Sequence, residues 1–431
     1  MPRPNSAASA DPAGDTIYAL SSGAPPAAIA IVRISGADAA RALEALAGRL
    51  PPPRQACHRR IRDSQGELLD HAMLLWLPGP GTATGEDIAE LHLHGGRAVV
   101  AATLAALAAL GLRLAEPGEF TRRALFNGRL DLSAVEGLAD LLAAETESQH
   151  REALRRADGV LGRQLAGWLD RLTGLAAAIE AGIDYDGEDV AVDTDVQRAA
   201  IASLAGEIGA ALAMPPAERL RDGLRVAIVG PPNAGKSTLF NALVGAEAAI
   251  VSAIEGTTRD AIERPLSLGG MPIVLIDTAG LRDSSDPIEA IGVARARREQ
   301  QTADLVLDLA GDGDDARHII AVSAKADLAP PRAGAVPVSA LAPHGLDALR
   351  ARMIAACAAL LPGEGEVALD RRYRDALAQV RDHLGSARAT DDPVIVAEHV
   401  RLARVHLGGL IGGGDVEAML DALFGRFCLG K

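Results

Sequence analysis

The segment Gly230–Ser237 (GPPNAGKS) has the residue types and the spacing of a phosphate-binding loop. It fits G-x-x-x-x-G-K-[ST], it follows a short apolar run at Leu224–Val229, and a sequence with helical periodicity (TLFNALVG) follows it. Glycines let the main chain curl so that successive N–H groups point inward, and a helix N-terminus adds partial positive charge. In such a loop Lys236 would reach the phosphates and Ser237 would bind Mg²⁺. A glycine-rich turn without a ligand is the alternative, and the flanking strand and helix argue against it.

Two further segments follow in the order found in GTPases. Gly256–Asp260 (GTTRD) contains Thr258, whose hydroxyl suits Mg²⁺. Asp277–Gly280 (DTAG) ends a predicted strand, so Asp277 can act behind the Mg²⁺ ligands and the Gly280 N–H can bind a terminal phosphate. Either segment alone is weakly specific, whereas this order at this spacing indicates a GTPase. The predicted nucleotide-binding residues are Asn233, Ala234, Gly235, Lys236, Ser237, Thr238, Ser252, Ala253, Ile254, Glu255, Gly256, Thr257, Thr258, Asp277, Thr278, Ala279, Gly280, Lys325 and Asp327.

Two positions predict how hydrolysis would be assisted. Leu281 stands directly after DTAG, where many GTPases carry a Gln that positions the attacking water, and a Leu side chain cannot hydrogen-bond water. Asn233 lies inside the phosphate-binding loop, and its amide oxygen could help to hold a monovalent cation that neutralises charge in the transition state. For Asn233 the alternative is a loop-tip residue chosen for turn geometry. The nearby candidates for positioning the water are Arg282, Asp283, Asp286 and Glu289.

The segment expected to recognise guanine departs from the usual N-K-x-D pattern. The chain has Ala324-Lys325-Ala326-Asp327 there. Asp327 can still accept hydrogen bonds from guanine, and the stem of Lys325 can cover the ring. The missing Asn side chain removes one polar contact, worth about 0.5–1.5 kcal/mol net. We therefore expect weaker nucleotide affinity with the guanine preference retained.

Composition limits the other classes of protein. With 431 residues and 48% hydrophobic content, the chain can form two or three domains with their own cores. The net charge of −14 and the aromatic content of 2% argue against a protein that coats nucleic acid. The three cysteines, Cys57, Cys357 and Cys428, are far apart, which excludes a zinc ribbon and a disulfide scaffold. We find no apolar run of membrane-spanning length in the sequence, so we expect a cytoplasmic protein without membrane contact.

Periodicity predicts a multidomain fold that combines α/β and α+β parts. Strand patterns (TIYAL, AIAIVRISG, IAELHLHGG) and a strand at Ala72–Leu77 predict an α+β domain over residues 1–120. Helical spacing predicts two or three long helices from Thr121 to about Asp184–Glu188, with a break near Asn127-Gly128, and a further helix at Asp193–Ala213, so that 121–220 forms the first part of a helical domain. Alternating strands and helices over 221–360 predict a parallel-rich sheet, and 361–431 returns to helix. The nucleotide-binding module is thus expected to be inserted into a helical domain built from both flanks.

Several segments together resemble the MnmE (TrmE) family of tRNA-modification GTPases. They are DTIYALSSGAPPAAIAIVRISG, TGEDIAELHLHGG, PGEFTRRALFNGRLDLSAVEGLADL and the terminal FCLGK, and the likeness covers nearly the full length. The resemblance implies an N-terminal tetrahydrofolate-binding domain that also forms a homodimer, a helical domain and an inserted P-loop GTPase domain. It also implies a heterotetramer with the flavoprotein MnmG (GidA), which carries the FAD. The two proteins would modify the wobble uridine of certain tRNAs with a tetrahydrofolate one-carbon unit.

The resemblance also assigns roles to individual residues. Ser252, Ile254 and Thr257, together with Asn233, match the K⁺ site of the family, and Ser237 and Thr258 match its Mg²⁺ ligands. Glu289 matches the acid that orients the hydrolytic water, which agrees with the Leu at position 281. The residues that match the folate-holding positions are Arg33, Glu90, Arg129 and Lys431.

Cysteine and histidine residues near the expected folate site have alternative interpretations. Cys428 in FCLGK matches a family cysteine near the folate, and either a thiolate role in the modification or simple apolar packing would explain it. His92 and His94 share one face of a strand, as a metal pair would, but no third ligand follows at usable spacing. We expect His94-Gly95-Gly96 to shape the folate pocket.

Two other functions compete with this interpretation. A ribosome-assembly switch would bind RNA without modifying it, and the folate-type domain and the FCLGK tail would then have no purpose. A degenerate GTPase domain is suggested by Ala324 and by the short span between Asp304 and Lys325. The leading hypothesis is a K⁺-dependent GTPase that acts in tRNA modification.

Overall fold

A computed structural model describes most of the chain as two compact units. One unit comprises Met1–Ala139 with Gly412–Lys431, and the other comprises Asp140–Ile411. The described residues are 15–184, 194–231, 233–246, 248–249, 262–277, 302–310, 318–339, 342, 344–363, 365, 368–411, 424–425, 427 and 430.

The first unit contains a six-stranded sheet with the order β3-β4-β5-β2-β1-β6. Its strands are β1 Ile17–Leu20, β2 Ile29–Ser35, β3 Cys57–Arg62, β4 Leu68–Leu77, β5 Ile88–His94 and β6 Arg113–Leu114. Its helices are α1 Ala39–Ala47, α2 Arg97–Ala109 and α3 Glu119–Phe126, and α4 Leu132–Ala143 begins in it. Among the described strands of this sheet only the β1–β6 pair is parallel, so the unit is α+β as predicted.

Alternation along the central strands gives this sheet one buried face. Val32 on β2 and Leu91 on β5 are fully buried and pack in one cluster with Leu43 of α1 and Leu107 of α2. Side chains in an extended strand point to opposite faces in turn, so the neighbours of these residues are turned away from the helices. The polar residues of β2 and β5 therefore share the second face.

The second unit contains a helical part formed from both flanks of a sheet. Its helices are α5 Glu147–Ala157, α6 Val160–Asp184, α7 Thr194–Ala213, α8 Ala217–Asp222, α11 Arg371–Arg388 and α12 Pro393–Ile411. Leu161 and Trp168 of α6 pack in one buried cluster with Leu204 of α7, Tyr373 of α11 and Leu407 of α12. This shared core places the sheet-forming segment as an insertion between the two helical flanks.

The inserted segment forms a seven-stranded sheet with the order β13-β12-β11-β7-β10-β9-β8. Its elements are β7 Leu224–Val229, α9 Lys236–Ala246, β8 Ala248–Ala249, β9 Ile262–Leu268, β10 Met271–Asp277, β11 Leu305–Asp308, β12 Ile319–Ala324, β13 Val336–Val338 and α10 Asp347–Leu360. The pairs β10–β7, β7–β11, β11–β12 and β12–β13 are parallel, whereas β8 and β9 run antiparallel at one edge. The parallel-rich sheet confirms the predicted fold class.

The structure differs from the sequence prediction at several elements. Strand β3 was not predicted, because Ile61 is its only fully buried residue and the rest of CHRRIR is polar. Strand β4 begins at Leu68 rather than at Ala72. The predicted break near Asn127-Gly128 is present, but the region holds four helices, α3 to α6, rather than two or three long ones. Their ends are marked by a capping box at Thr146 and by Gly159, which has a φ of 73°.

One helical stretch has the length and apolar composition of a membrane-spanning helix, which we did not expect from the sequence. Among the described residues, Thr194–Asp222 is long and apolar enough, by length and composition alone, to cross a membrane. The expectation that no run has this length was therefore wrong by this measure. Core helices of soluble proteins have the same length and composition. Here Ile201, Leu204 and Ile208 are buried in the helical core.

Candidate functional site

The carboxyl ends of the parallel strands meet at one edge of the second sheet. In the registers of the sheet, Asp277 of β10 lies opposite Ile228 of β7, and Asp308 of β11 lies opposite Val229. Ligands of open parallel sheets bind outside the carboxyl ends of the strands. The segment Gly230–Ser237 leaves β7 at this edge and leads into α9, so the predicted loop stands where a ligand would bind.

The main chain of this loop has the curled shape that a phosphate-binding loop needs. Gly230 has a φ of 149°, and a Cβ there would lie 2.8 Å from the Cβ of Leu309. No residue with a side chain fits this position without a shift of the loop after β11. Asn233 adopts a left-handed conformation with a φ of 62°, which is uncommon outside glycine and tolerated by Asn. Helix α9 then begins at Lys236.

The ammonium group of Lys236 lies against the inner side of the loop. It donates hydrogen bonds to the carbonyl oxygens of Gly230 at 2.7 Å and Pro231 at 2.9 Å. A full positive charge is thereby held beside the start of α9, where the helix contributes its own partial positive charge. The loop is therefore electropositive where a phosphate would bind.

The turn after β12 is joined to the loop through Lys325. Its Nζ donates a hydrogen bond to the carbonyl oxygen of Asn233 at 3.1 Å. Ala324, the last residue of β12, is close enough that a Cβ on Gly235 would lie 3.6 Å from its own Cβ. The turn is fixed at its other side, because the Ala326 N–H bonds the carbonyl of Val338 at 3.1 Å. The structure thus brings the predicted base-recognition segment directly over the phosphate-binding loop.

The remaining predicted nucleotide-site residues fall into two groups. Ser237 and Thr238 are exposed in the first turn of α9, and Asp277 is 2% exposed at the end of β10. Ala234 packs against the core of the sheet, and Asp327 is exposed two residues after Lys325. The residues that lie outside the described part of the chain, and so stay predictions, are Ser252, Ala253, Ile254, Glu255, Gly256, Thr257, Thr258, Thr278, Ala279, Gly280, Glu289, Cys428 and Lys431.

Ser339 and Arg332 at the same edge were not predicted from sequence. Ser339 follows β13 and is 7% exposed, and its hydroxyl has no hydrogen-bond partner among the described residues. Ser339 lies within VPVSA, a segment whose apolar residues favour a strand, and this pattern gave no sign of a functional serine. Arg332 donates to the carbonyls of Val322, at 2.8 Å, and Ala310, which ties β12 to the loop after β11. No sequence pattern indicated this role of Arg332, because the acceptors of its hydrogen bonds are main-chain atoms.

A second set of predicted residues lies on the polar face of the first sheet. Arg33 on β2 stands opposite Glu90 on β5, and the two form an ion pair at 2.8 Å. The ring of His92 approaches the same carboxylate at 3.3 Å, and the Arg33 guanidinium lies 5.9 Å from the centre of the Phe120 ring. Arg129 follows α3 and lies beside Gly85 in the loop before β5. The structure therefore brings Arg33 and Glu90 together and places Arg129 on a separate segment of the same unit.

The described residues of the C-terminal segment contact this first unit. The Ser21 hydroxyl donates to the Gly430 carbonyl at 2.9 Å, and Phe424 and Phe427 pack with Leu132 and Val135. Gly430 thus lies beside the residue that follows β1.

Metal and thiol chemistry at other cysteines and histidines finds little support. Within the described ranges no group of three or more His, Cys, Asp or Glu residues is arranged to hold a metal. Burial raises the pKa of the Cys357 thiol to about 12, so this residue is inert at neutral pH.

A mostly parallel sheet, a curled glycine loop between β7 and α9, and the motif lysine, Lys236, against that loop define a P-loop nucleotide-binding protein. A family model described as "GTP-binding protein TrmE N-terminus" matches residues 16–129, and one described as "MnmE helical domain" matches residues 132–428. The chain therefore belongs to the MnmE family of tRNA modification GTPases.

Individual relatives agree with the family models along the whole chain. The protein named tRNA modification GTPase MnmE from Erythrobacter litoralis is 50% identical over 426 residues, which cover 97% of this chain and 100% of the relative. The protein of the same name from Rhizorhabdus wittichii is 52% identical over 427 residues, with 97% of each chain covered. Among solved structures, the G domain of the FeoB iron transporter of T. maritima is 25% identical and covers 31% of this chain and 98% of its own. Its TM-score of 0.22 is too low to bear on the fold.

Proposed function

We propose that this chain is a K⁺-dependent GTPase that works with the flavoprotein MnmG to modify tRNA. The group added at C5 of the wobble uridine would be of the carboxymethylaminomethyl or aminomethyl type, with its one-carbon unit taken from a tetrahydrofolate. The relatives are named tRNA modification GTPases, which supports the GTPase activity and the tRNA substrate. A homodimer, a heterotetramer with MnmG and a cytoplasmic location complete the proposal, with FAD on the partner.

The observation that carries the K⁺ part of the proposal is the conformation of Asn233. Its main chain is left-handed, with a φ of 62°, and its carbonyl accepts a hydrogen bond from Lys325, so the residue is fixed at the exposed tip of the loop. An amide oxygen held there is a suitable ligand for a hard monovalent cation beside the phosphates. The other proposed K⁺ ligands are Ser252, Ile254 and Thr257.

The Mg²⁺ part rests on oxygen donors at the edge of the sheet. Ser237 is exposed in the first turn of α9, and Asp277 ends the neighbouring parallel strand. Hydroxyl and carboxylate oxygens are the donors that Mg²⁺ prefers, so these residues fit the ion. Ser237 would bind Mg²⁺ with Thr258, and the bound ion would neutralise charge on the phosphate oxygens. Glu289 would orient the attacking water, because Leu281 cannot.

The folate part rests on the polar face of the first sheet. The Glu90 carboxylate is 14% exposed and held by Arg33, so it is fixed in direction and still accessible. A pterin presents neighbouring N–H donors that can pair with such a carboxylate, and the glutamate tail of folate requires cations such as Arg129 and Lys431. Cys428 is proposed to act there as a thiolate.

The test is GTP turnover by the full-length protein in equal concentrations of KCl and NaCl. We expect turnover to rise at least about tenfold in K⁺, and Asn233→Ala to abolish the rise, because the cation would replace an arginine finger. Asn241→Ala, on the exposed side of α9, is the matched control. Equal turnover in the two salts would refute the K⁺ proposal.

The modification itself is tested in a strain that lacks this protein. Mass spectrometry of wobble nucleosides is expected to show loss of the modified uridine, and the parent gene is expected to restore it. Binding of 5-formyl-tetrahydrofolate by the purified protein is the second measurement. If the chain were a switch without modification chemistry, the strain that lacks it would still contain the modified wobble uridine. The purified protein would then not bind the folate.

A further inference from the structure

His94, the last residue of β5, is held by Asp70 on the neighbouring strand β4. The His94 N–H donates to Asp70 Oδ2 at 2.8 Å, and His94 Nδ1 lies 2.8 Å from Asp70 Oδ1. The N–H of His71 also donates to Oδ1, at 2.7 Å. The Asp70 side chain is 9% exposed, whereas that of His94 is 74% exposed. A fixed carboxylate thus orients an imidazole that is open to solvent.

The protonation of this pair follows from the hydrogen bonds around the carboxylate. Burial raises the pKa of Asp70, but the donors from His94 and His71 outweigh this effect and hold its pKa below the ordinary value. Asp70 is therefore ionised at neutral pH, and Nδ1 of His94 must carry the hydrogen that it donates. The lone pair of the neutral ring then lies on Nε2, at its exposed side. Catalytic histidines oriented by a carboxylate use this tautomer.

The main chain next to His94 is held as firmly as its ring. The Ala27 N–H donates a hydrogen bond to the Gly95 carbonyl at 3.0 Å, and the Gly95 N–H donates one to the Ala28 carbonyl at 3.4 Å. A Cβ on Gly95 would overlap the Ala27 carbonyl, so this close approach requires glycine. His94 therefore sits on a rigid element, as a group that must meet a reacting atom requires.

His94 shares a sheet face with the proposed folate residues. Glu90, His92 and His94 alternate along β5 and point to one side, about 6.6 Å apart from one to the next. In the register with β2, Arg33 stands opposite Glu90 and Ile29 opposite His94. The Arg33–Glu90 ion pair thus marks one end of a polar strip, and the Asp70–His94 pair marks the other, about 13 Å along the strand.

Exposed apolar side chains from the two neighbouring strands border this strip. Ile29 is 59% exposed, and Met73, opposite His92 on β4, is 43% exposed. A flat heterocycle anchored at Glu90 would lie along these side chains with its far portion directed towards His94. The charged or titratable groups around the imidazole are Asp70 and His71 on β4, His92 on β5 and Arg97 at the start of α2.

We propose that His94, oriented by Asp70, transfers the proton in the one-carbon chemistry at this face of the sheet. This role rests on the proposed function, and neither a sequence motif nor the family resemblance assigns it to His94. An amine nucleophile would give its proton to Nε2 of His94 as its nitrogen bonds the one-carbon unit. The imidazolium would return that proton to the folate nitrogen as its bond to the same carbon breaks. One C–N bond forms and one breaks, so no oxidant or reductant is required.

The test compares three variants of the full chain in the reconstituted modification with MnmG and tRNA. His94→Asn is expected to lower the modification rate about 100-fold and to remove the acid limb of its pH profile, since loss of a general base has effects of this size. Asp70→Asn is expected to lower the rate, because the imidazole loses the carboxylate that orients its ring. His58→Asn removes an exposed imidazole on β3, two strands away, and serves as the control.

Titration with 5-formyl-tetrahydrofolate separates proton transfer from binding. Unchanged folate affinity in His94→Asn, with the expected loss of rate, supports the proposal. A rate within about twofold of the parent, or a loss of affinity that matches the loss of rate, overturns it. If the parent itself neither binds the folate nor modifies tRNA, the proposed function fails and the role of His94 fails with it. If the parent binds the folate and modifies tRNA, and His94→Asn modifies tRNA at the same rate, the proposed function stands and the role of His94 does not.

Discussion

The Lys325 ammonium donates a hydrogen bond to the Asn233 carbonyl at 3.1 Å, although the two residues lie 92 positions apart in the chain. This bond joins the base-recognition turn to the phosphate-binding loop, so the position of one depends on the position of the other. It also fixes the left-handed conformation of Asn233 from outside the loop. The loop is therefore shaped by a residue that the nucleotide base would itself contact.

The first prediction concerns this hydrogen bond. Lys325→Met keeps much of the aliphatic stem and removes the ammonium, so we expect GTP affinity to fall about fivefold, in line with a net loss of roughly 1 kcal/mol for an exposed hydrogen bond. The measurement is equilibrium binding of a fluorescent GTP analogue. Arg352→Met, on the exposed side of α10, is the control for removal of a positive charge from the same module. Unchanged affinity in Lys325→Met would show that the bond does not shape the loop.

The second prediction is a gain of affinity at Ala324. The Cβ of this residue lies 3.6 Å from where a Cβ on Gly235 would stand, so a longer polar side chain there would reach the loop. Ala324→Asn restores the N-K-x-D pattern, and we expect GTP to bind up to about tenfold more tightly, which is the size of one net hydrogen bond. Ala326→Asn, two residues on, is the matched control. Weaker or equal binding by Ala324→Asn would mean that the site compensates for the missing Asn in another way.

Contiguous motifs were the part of the site that the sequence revealed. The loop Gly230–Ser237 and Asp277 lie where their strand context predicted, because a strand, a glycine loop and a helix form a local unit. The contacts Lys325–Asn233 and Asp70–His94 join residues that are distant in sequence, and only the strand order determines them. Their residue types carry no periodic signal, so no pattern could have paired them.

The elements that were missed fail for a related reason. Strand β3 is an edge strand with one fully buried residue, and a prediction from hydrophobic alternation has little to detect there.

Lysine content is a compositional signal that could have been used. Of 43 lysine and arginine residues only three are lysine, at positions 236, 325 and 431, and each falls in a predicted ligand site. A compact ammonium on a flexible stem is required where arginine would be too large and planar.

The third prediction concerns the joint between the two helical flanks. Arg156 of α5 is 5% exposed and forms ion pairs with Asp140 at 3.3 Å and Asp370 at 3.1 Å. Removal of one partner from a buried pair leaves charges uncompensated, so we expect Arg156→Met to lower the free energy of unfolding by about 3–5 kcal/mol. Arg151→Met, on the same helix, removes an exposed pair with Glu147 at 3.9 Å and should cost less than about 1 kcal/mol. Urea denaturation measures both, and equal effects of the two substitutions would contradict the prediction.

The last prediction concerns the pH dependence of the first unit. Burial raises the pKa of Glu119, but hydrogen bonds from Arg113, the Glu116 N–H and Arg123 outweigh it and hold the pKa below the value of 4.5 for an unfolded chain. A carboxylate with a lowered pKa contributes stability that is fully present above about pH 4.5 and is lost as pH falls through the folded value. Glu119→Gln removes this charge at every pH. We therefore expect the variant to be less stable than the parent by about 1.5–3 kcal/mol at neutral pH, and the difference to shrink as the solution is acidified. Calorimetric unfolding of both proteins between neutral and acid pH measures it, with Glu44→Gln on the exposed side of α1 as the control. A difference that stayed constant on acidification would show that the Glu119 charge does not stabilise the fold.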